Sequence, residues 1–167
     1  MFARRTRGEV HDPATSQLRL RDLVTGEMTT YSFFAEPPIG GEVFEVVAQV
    51  RGAWREPPGF AIFADWQVDE PAYCRAFEES RLTLFALRQQ AIPSFHTDWL
   101  MRRPDLPGRY LVLGLYGERD GLQASREHPT IVTWASEHSA DALTARDLHG
   151  ARQYEIAEIS RGTLLDP

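Results

Sequence analysis

The chain has 167 residues, 43% hydrophobic, 11% aromatic and 25% charged, which supports a buried core and excludes a disordered chain. Its 18 basic residues are all arginine and face 24 acidic ones for a net charge of −6, which argues against a sequence-independent nucleic-acid binder. The longest apolar run, Tyr110–Tyr116, falls far short of the ~20 residues a membrane span needs. No apolar stretch follows the basic first residues, and the single Cys74 cannot form an internal disulfide. These features predict a cytoplasmic protein with no nucleic-acid or membrane partner. Its partner is a small molecule, a second copy of the chain, or both.

Residues 1 to about 15 are polar without a sustained period and read as a loose lead-in. From Leu18 the pattern changes: LRLRDL alternates, Thr25-Gly26 supplies a turn, and EMTTYSFF is rich in β-branched and aromatic residues. Two such runs about a Gly turn predict a β-hairpin. After the break at Pro37–Gly41, Val43–Val50 predicts a further strand. A second break, Arg55-Glu56-Pro57-Pro58-Gly59, divides an N-terminal β-rich extension, residues 1–57, from a core domain, residues 58–167.

In the core, Phe60–Val68 predicts a strand. Asp69 is placed to cap a helix running to about Gln90, with Pro71 in its first turn and Tyr73, Ala76, Phe77, Leu84 and Leu87 on its apolar face. Ile92–Met101 alternates as a strand, PDLPG turns the chain, and Arg109–Gly117 is apolar on both faces. Two short helices follow, Glu118 to about Glu127 and Pro129 to about His138. A polar connection from Ala140 to Gly150 leads to a last strand, Arg152–Ile159. The order β-α-β-β-α-β is the α+β, ferredoxin-like arrangement: a four-stranded antiparallel sheet with helices on one face. The other face carries apolar bulk too, because both alternating sets of Phe60–Val68 are apolar. It needs a cover, supplied by a second subunit or by the N-terminal strands. A homodimer packed sheet to sheet about an internal cavity is the predicted solution.

His96 and Asp98 stand at i and i+2 in FHTDW, and a regular strand puts both on one face. Such a pair supports a general base with its orienting carboxylate; a solvated polar strand face explains it equally well. Asp65 lies in an apolar strand, so it is either catalytic or held by an arginine. Phe63, Trp66, Tyr116 and Trp134 are candidate walls for a flat substrate or simply core. His138 is a candidate substrate or metal contact, or a helix-end histidine. His11, His128 and His149 have no cluster partners. There is no nucleotide-binding glycine motif, zinc motif or hydrolase elbow.

The segment RYLVLGLYGERDGLQASREHPTIVTWASEH has an apolar strand ending in Tyr116, an acidic turn, a helix into His128-Pro129, and a second short helix carrying Trp134. From about Phe60 to its end the chain resembles the dimeric α/β-barrel superfamily, and within it the antibiotic biosynthesis monooxygenase-like proteins of aromatic polyketide pathways. The resemblance implies an oxygenase acting on a phenolic or anthrone-like intermediate, with molecular oxygen as co-substrate and no metal or organic cofactor. Cofactor-free members of the family use an Asn and a Trp on the third strand, where this chain has Val112 and Tyr116. Haem-degrading relatives use a Trp and a late His, in the region of Trp134 and His138, so haem or reduced flavin stays open. Two alternatives stand beside the oxygenase: a non-oxidative cyclase and a non-catalytic ligand-binding accessory protein.

Overall fold

The computed structural model describes residues 1–7, 16–138 and 144–160; His11 and part of the 140–150 connection lie outside the described residues. The strands are β1 (Phe2–Arg7), β2 (Ser16–Asp22), β3 (Met28–Phe34), β4 (Glu42–Arg51), β5 (Phe60–Val68), β6 (Phe95–Arg102), β7 (Arg109–Tyr116), β8 (Ala145–Asp147) and β9 (Arg152–Ser160). The helices are α1 (Cys74–Ala91), α2 (Arg119–Glu127) and α3 (Pro129–Glu137), with a 3-10 turn at Pro71–Tyr73 before α1. Gly26, at φ +73°, closes the predicted β2–β3 hairpin.

All neighbouring strands are antiparallel, in the order β7-β6-β4-β1-β3-β2-β9-β5, and β5 pairs back onto β7. The sheet therefore closes into an eight-stranded barrel within one chain, with β8 continuing the edge of β5 beyond β9. The C-terminal half has the strand order β9-β5-β7-β6, the 4-1-3-2 order of a ferredoxin-like sheet. The N-terminal half repeats it as β4-β1-β3-β2, without helices among the described residues. Two seams join the halves, β4 to β6 and β2 to β9, and each pairs strand two of one half with strand four of the other. A register shift interrupts both, between Val46 and Ala48 and between Arg19 and Leu20. The chain is a barrel of two halves with the same strand order, and among the described residues the C-terminal half carries the helical layer.

Two expectations are corrected here. The open sheet face is covered by the N-terminal strands, which removes the reason for a sheet-to-sheet homodimer. The start of the chain is β1 rather than a loose lead-in: Ala3 is buried in the barrel, and β1 hydrogen-bonds to both β3 and β4. FARRTR reads as polar because its inward arginine, Arg5, finds its partners only in tertiary structure: Glu42 and Asp65, 2.6 and 2.9 Å away. The boundary near residue 57 is a loop between halves that share one sheet.

Alternation decides what each strand gives to each layer. Ala61 and Phe63 of β5, Trp99 and Met101 of β6, and Leu111, Leu113 and Leu115 of β7 fill the barrel. Leu18, Leu20, Tyr31, Phe33, Phe44 and Tyr154 meet them from the other strands. On the outer face Ile62, Phe95, Leu100, Tyr110, Val112 and Tyr116 pack beneath α1, α2 and α3. Asp69 does not cap α1; it pairs with Arg146 at 3.2 Å, and neither residue preceding the two helical segments caps with its side chain.

Candidate functional site: an arginine in an aromatic cage

The buried stripe of α1 is Phe77, Arg81, Leu84, Phe85 and Arg88, the spacing of one helix face. Two of these five positions are arginines, and they differ in their partners. Arg88 donates through Nη1 to Asp98 Oδ2 of β6 at 3.1 Å. Burial alone would lower its pKa; the neighbouring Tyr116 and Asp98 outweigh that and raise it. Burial raises Asp98 against the pull of Arg88. Gly114 makes room for this pair, since a Cβ there would sit 2.3 Å from Asp98 Oδ1.

Arg81 has no carboxylate within ion-pair distance among the described residues, although its residue is only 6% exposed. Its guanidinium lies 5.0 Å from the ring centroid of Trp66, 5.1 Å from Phe77 and 5.3 Å from Trp134. Among the described residues its side chain donates one hydrogen bond, from Nη2 to Ser80 Oγ at 3.2 Å. Burial, then the like charge of Arg88, brings its pKa down to about 10, so it stays charged at neutral pH. Buried polar atoms without a hydrogen-bond partner gather in this layer: Arg81 Nε, Arg88 Nε, Asp98 Oδ1 and Trp134 Nε1. Buried polar groups are ordinarily satisfied, and a buried charge ordinarily has a counter-ion. An anionic ligand would supply an acceptor for the unpaired N–H donors and a counter-ion for Arg81, but nothing for Asp98 Oδ1. The cage reaches the surface at Trp66, which is only half-buried.

The structure gathers Trp66, Trp134, Asp98 and Tyr116 into this helix–sheet layer, not into the barrel, with His138 exposed at its edge. Trp134 stacks on His138 at 5.2 Å and 10°, and His138 Nδ1 lies 3.0 Å from the Trp134 carbonyl oxygen. That leaves Nε2 as the ring nitrogen able to meet a ligand. Burial raises the Tyr116 phenol, with Asp98 adding to the shift. Phe63 and Asp65 face the opposite way, into the barrel. Asp65 is 1% exposed and pairs with Arg5 at 2.9 Å and Arg109 at 3.4 Å.

His96 and Asp98 are not brought together. The β6–β7 register shifts between Phe95 and Thr97, so His96 is an inserted bulge residue and the alternation restarts at Thr97. His96 Nδ1 meets Thr97 Oγ1 at 2.9 Å, while Asp98 turns to Arg88. The His96 pKa is lowered by burial, then by Arg51 and Arg55. Protons therefore bind the unfolded chain more readily. Stability is retained above the ordinary histidine pKa and falls as pH drops through that value towards the lowered one. His96→Gln is expected to flatten the decline of urea-unfolding free energy between pH 7 and pH 5; an unchanged slope would remove His96 as its source.

Arg81 and Arg88 were not among the predicted site residues. Their signal is present in the sequence: they continue the apolar stripe of Phe77 and Leu84 at helical spacing, where a charge is costly. Periodicity shows that they are buried, and only packing shows that one is paired and the other is not.

Among the described residues no group of three or more His, Cys, Asp or Glu could hold a metal ion, and no helix is long and apolar enough to cross a membrane. The sequence matches no protein family profile and no curated protein. Solved structures do match. An anthrone oxidase-like protein aligns with a TM-score of 0.65 at 9% identity, covering 92% of this chain and 81% of the other. A ferredoxin-fold protein related to antibiotic biosynthesis monooxygenases, from Listeria monocytogenes, aligns at 0.61 and 10%, covering 94% of each chain. A heme-degrading enzyme from the same species aligns at 0.57 and 12%, covering 93% and 99%. The chain has the ferredoxin-like fold of monooxygenase-related proteins. That likeness extends through the N-terminal strands, and at these identities it concerns the fold alone.

Proposed function

We propose that the protein is an enzyme that oxygenates a phenolic or polycyclic aromatic substrate, with Arg81 holding the substrate's ionised oxygen against Trp66 and Trp134. The observation that carries this reading is the buried, charged guanidinium with three rings around it and, among the described residues, no carboxylate within ion-pair distance. Ionising a phenol makes its ring electron-rich enough to react with molecular oxygen. A fixed positive charge in a low-dielectric layer favours the phenolate over the phenol. Asp98, with Oδ1 accepting no hydrogen bond and its pKa raised by burial, is the carboxylate of this layer suited to take the proton. The flat faces of Trp66 and Trp134 suit a planar substrate. The fold shared with an anthrone oxidase-like protein and a monooxygenase-related protein supports the reading.

The test is oxygen uptake with 1,8-dihydroxyanthrone. Oxidation of its methylene carbon to a ketone takes one oxygen atom into the product, and the other leaves as water with the two hydrogens lost. One mole of oxygen consumed per mole of quinone formed, well above the rate without protein, is the expected result. Conversion of this substrate under argon would overturn the oxygenase reading; because the anthrone is already tricyclic, a cyclase would have to be tested on an uncyclised precursor. Saturable binding without turnover would make the protein a ligand-binding accessory. An absorption spectrum with added haemin or reduced flavin tests cofactor use, and a shifted Soret band lost in His138→Ala would move the chemistry to haem.

A further inference from the structure

Arg81 and Trp134 are both buried, at 6% and 7% exposure, and Phe77 is fully buried. A flat ligand therefore reaches the guanidinium only if one of the three aromatic walls moves. The walls are not held alike. Trp66 lies inside β5 and is paired on both sides, opposite Tyr110 of β7 and Asp147 of β8. Phe77 belongs to α1, which polar bonds tie to the sheet at three points. Arg88 Nη1 donates to Asp98 Oδ2 at 3.1 Å, Gln89 Nε2 to the Arg51 carbonyl at 2.6 Å, and Tyr110 Oη to Glu78 Oε1 at 2.9 Å.

Trp134 belongs to α3, and α3 has no such ties. It rests mainly on α1 and α2, whereas α2 rests on β5 and β7. Its buried side chains are Ile131 and Trp134. Among the described residues its side-chain hydrogen bonds stay within the helix and its caps. They run from Thr130 N to His128 Nδ1 at 3.3 Å, from Ser136 Oγ to the Thr133 carbonyl at 2.7 Å, and between His138 Nδ1 and the Trp134 carbonyl at 3.0 Å. Trp134 Nε1 is buried with no acceptor, so this wall is held by packing and by the Arg81 cation.

The helix also begins at a joint. His128 ends α2 and starts α3 in extended backbone, at φ −60° and ψ 130°, and Pro129 has no N–H to bond a neighbour. At the other end His138 leaves helical conformation, at φ −121° and ψ 53°, with its ring stacked on Trp134. A nine-residue helix that inserts two side chains is the part of this layer that opens most readily.

We infer that α3 is the lid of the Arg81 cage. It swings about His128–Pro129, lifts Trp134 and the stacked His138 off the guanidinium, admits a flat anionic ligand, and closes over it. Closure restores the aromatic wall and keeps water from the bound ring. The inference rests on the reading of the cage as a ligand site.

Two readouts on the intact chain, without substrate, test the lid. Amide hydrogen exchange of Thr133–Glu137 is expected to run about 100-fold or more faster than that of Leu84–Arg88 in α1, after correction for intrinsic rates. Phenylglyoxal, a flat arginine reagent, reports access to Arg81 when the labelled peptides are identified by mass spectrometry. Ile131→Ala removes one of the two side chains that α3 inserts. It is expected to speed α3 exchange by about tenfold or more, to leave α1 exchange unchanged, and to raise Arg81 labelling by the same factor. Ile131→Val leaves a smaller cavity and is expected to move both rates together by a smaller factor, which keeps the test decisive if the Ala variant does not fold. Exchange of α3 in step with α1, or Arg81 labelling that stays constant while α3 exchange rises, would overturn the lid. Neither readout uses the substrate. A working lid on a protein that takes up no oxygen therefore counts against the oxygenase alone, and oxygen uptake without lid opening counts against the lid alone.

Discussion

A chain that begins at residue 58 is expected to lose the folded monomer altogether. The deletion removes β1 to β4, half of the eight barrel strands. It uncovers the inner face formed by Phe63, Trp99, Met101, Leu111, Leu113, Leu115 and Tyr154. At ~1.5–3 kcal/mol for each large side chain, the loss is on the order of 10–20 kcal/mol, comparable to or larger than the whole stability of a typical domain. The same cut strips the partners from β6 and β9, leaving two open sheet edges. Because each seam pairs strand two of one half with strand four of the other, two truncated copies can restore the barrel by pairing β6 of one with β9 of the other. Light scattering of the truncated chain is therefore expected to show dimers or aggregates, with the intact chain monomeric. A truncated monomer with native circular dichroism would overturn the account of the barrel as one core.

Replacing Arg81 by Met is expected to stabilise the protein and to disable it. The fall of the Arg81 pKa from 12.5 to about 10 corresponds to about 3 kcal/mol set against the buried charge. Contacts with three rings, at ~0.5–1 kcal/mol each, offset much of that. Met keeps the aliphatic bulk without the charge, so the net gain is about 1 kcal/mol, and Tm should rise by ~2–4 °C. Loss of a positive charge that has no carboxylate partner among the described residues should lower kcat/KM for 1,8-dihydroxyanthrone by about 100-fold or more, as for removal of an oxyanion-stabilising donor. Thermal unfolding and oxygen uptake on one preparation check both parts. A less stable variant with full activity would make Arg81 a structural residue; higher stability with lost turnover is the usual mark of a group kept for function.

Much of the C-terminal half is legible in the chain itself. The alternation of Phe60–Val68, the doubly apolar Arg109–Tyr116, the helical stripe from Phe77, and the Pro129 helix start fixed the βαββαβ order and the ferredoxin-like fold. These are local signals, and local geometry answers to them. His96 and Asp98 lie beyond that limit, because a one-residue bulge reverses the facing of a strand without leaving a mark in composition. The FARRTR strand lies beyond it as well: its inward arginine is satisfied by carboxylates 37 and 60 positions away, so it imitates a solvated segment.

Periodicity says that a face is buried but not what covers it. The two-faced apolar strands by themselves determined that the sheet needs a cover, and tertiary structure decided that the N-terminal half of the same chain provides it. Likewise the chain put Arg81 on a buried stripe, and only packing decided that three rings surround it and that, among the described residues, no carboxylate reaches it. Burial is written in the spacing of residues; pairing depends on distances between elements remote in sequence, and it is pairing that separates a structural charge from one available to a ligand.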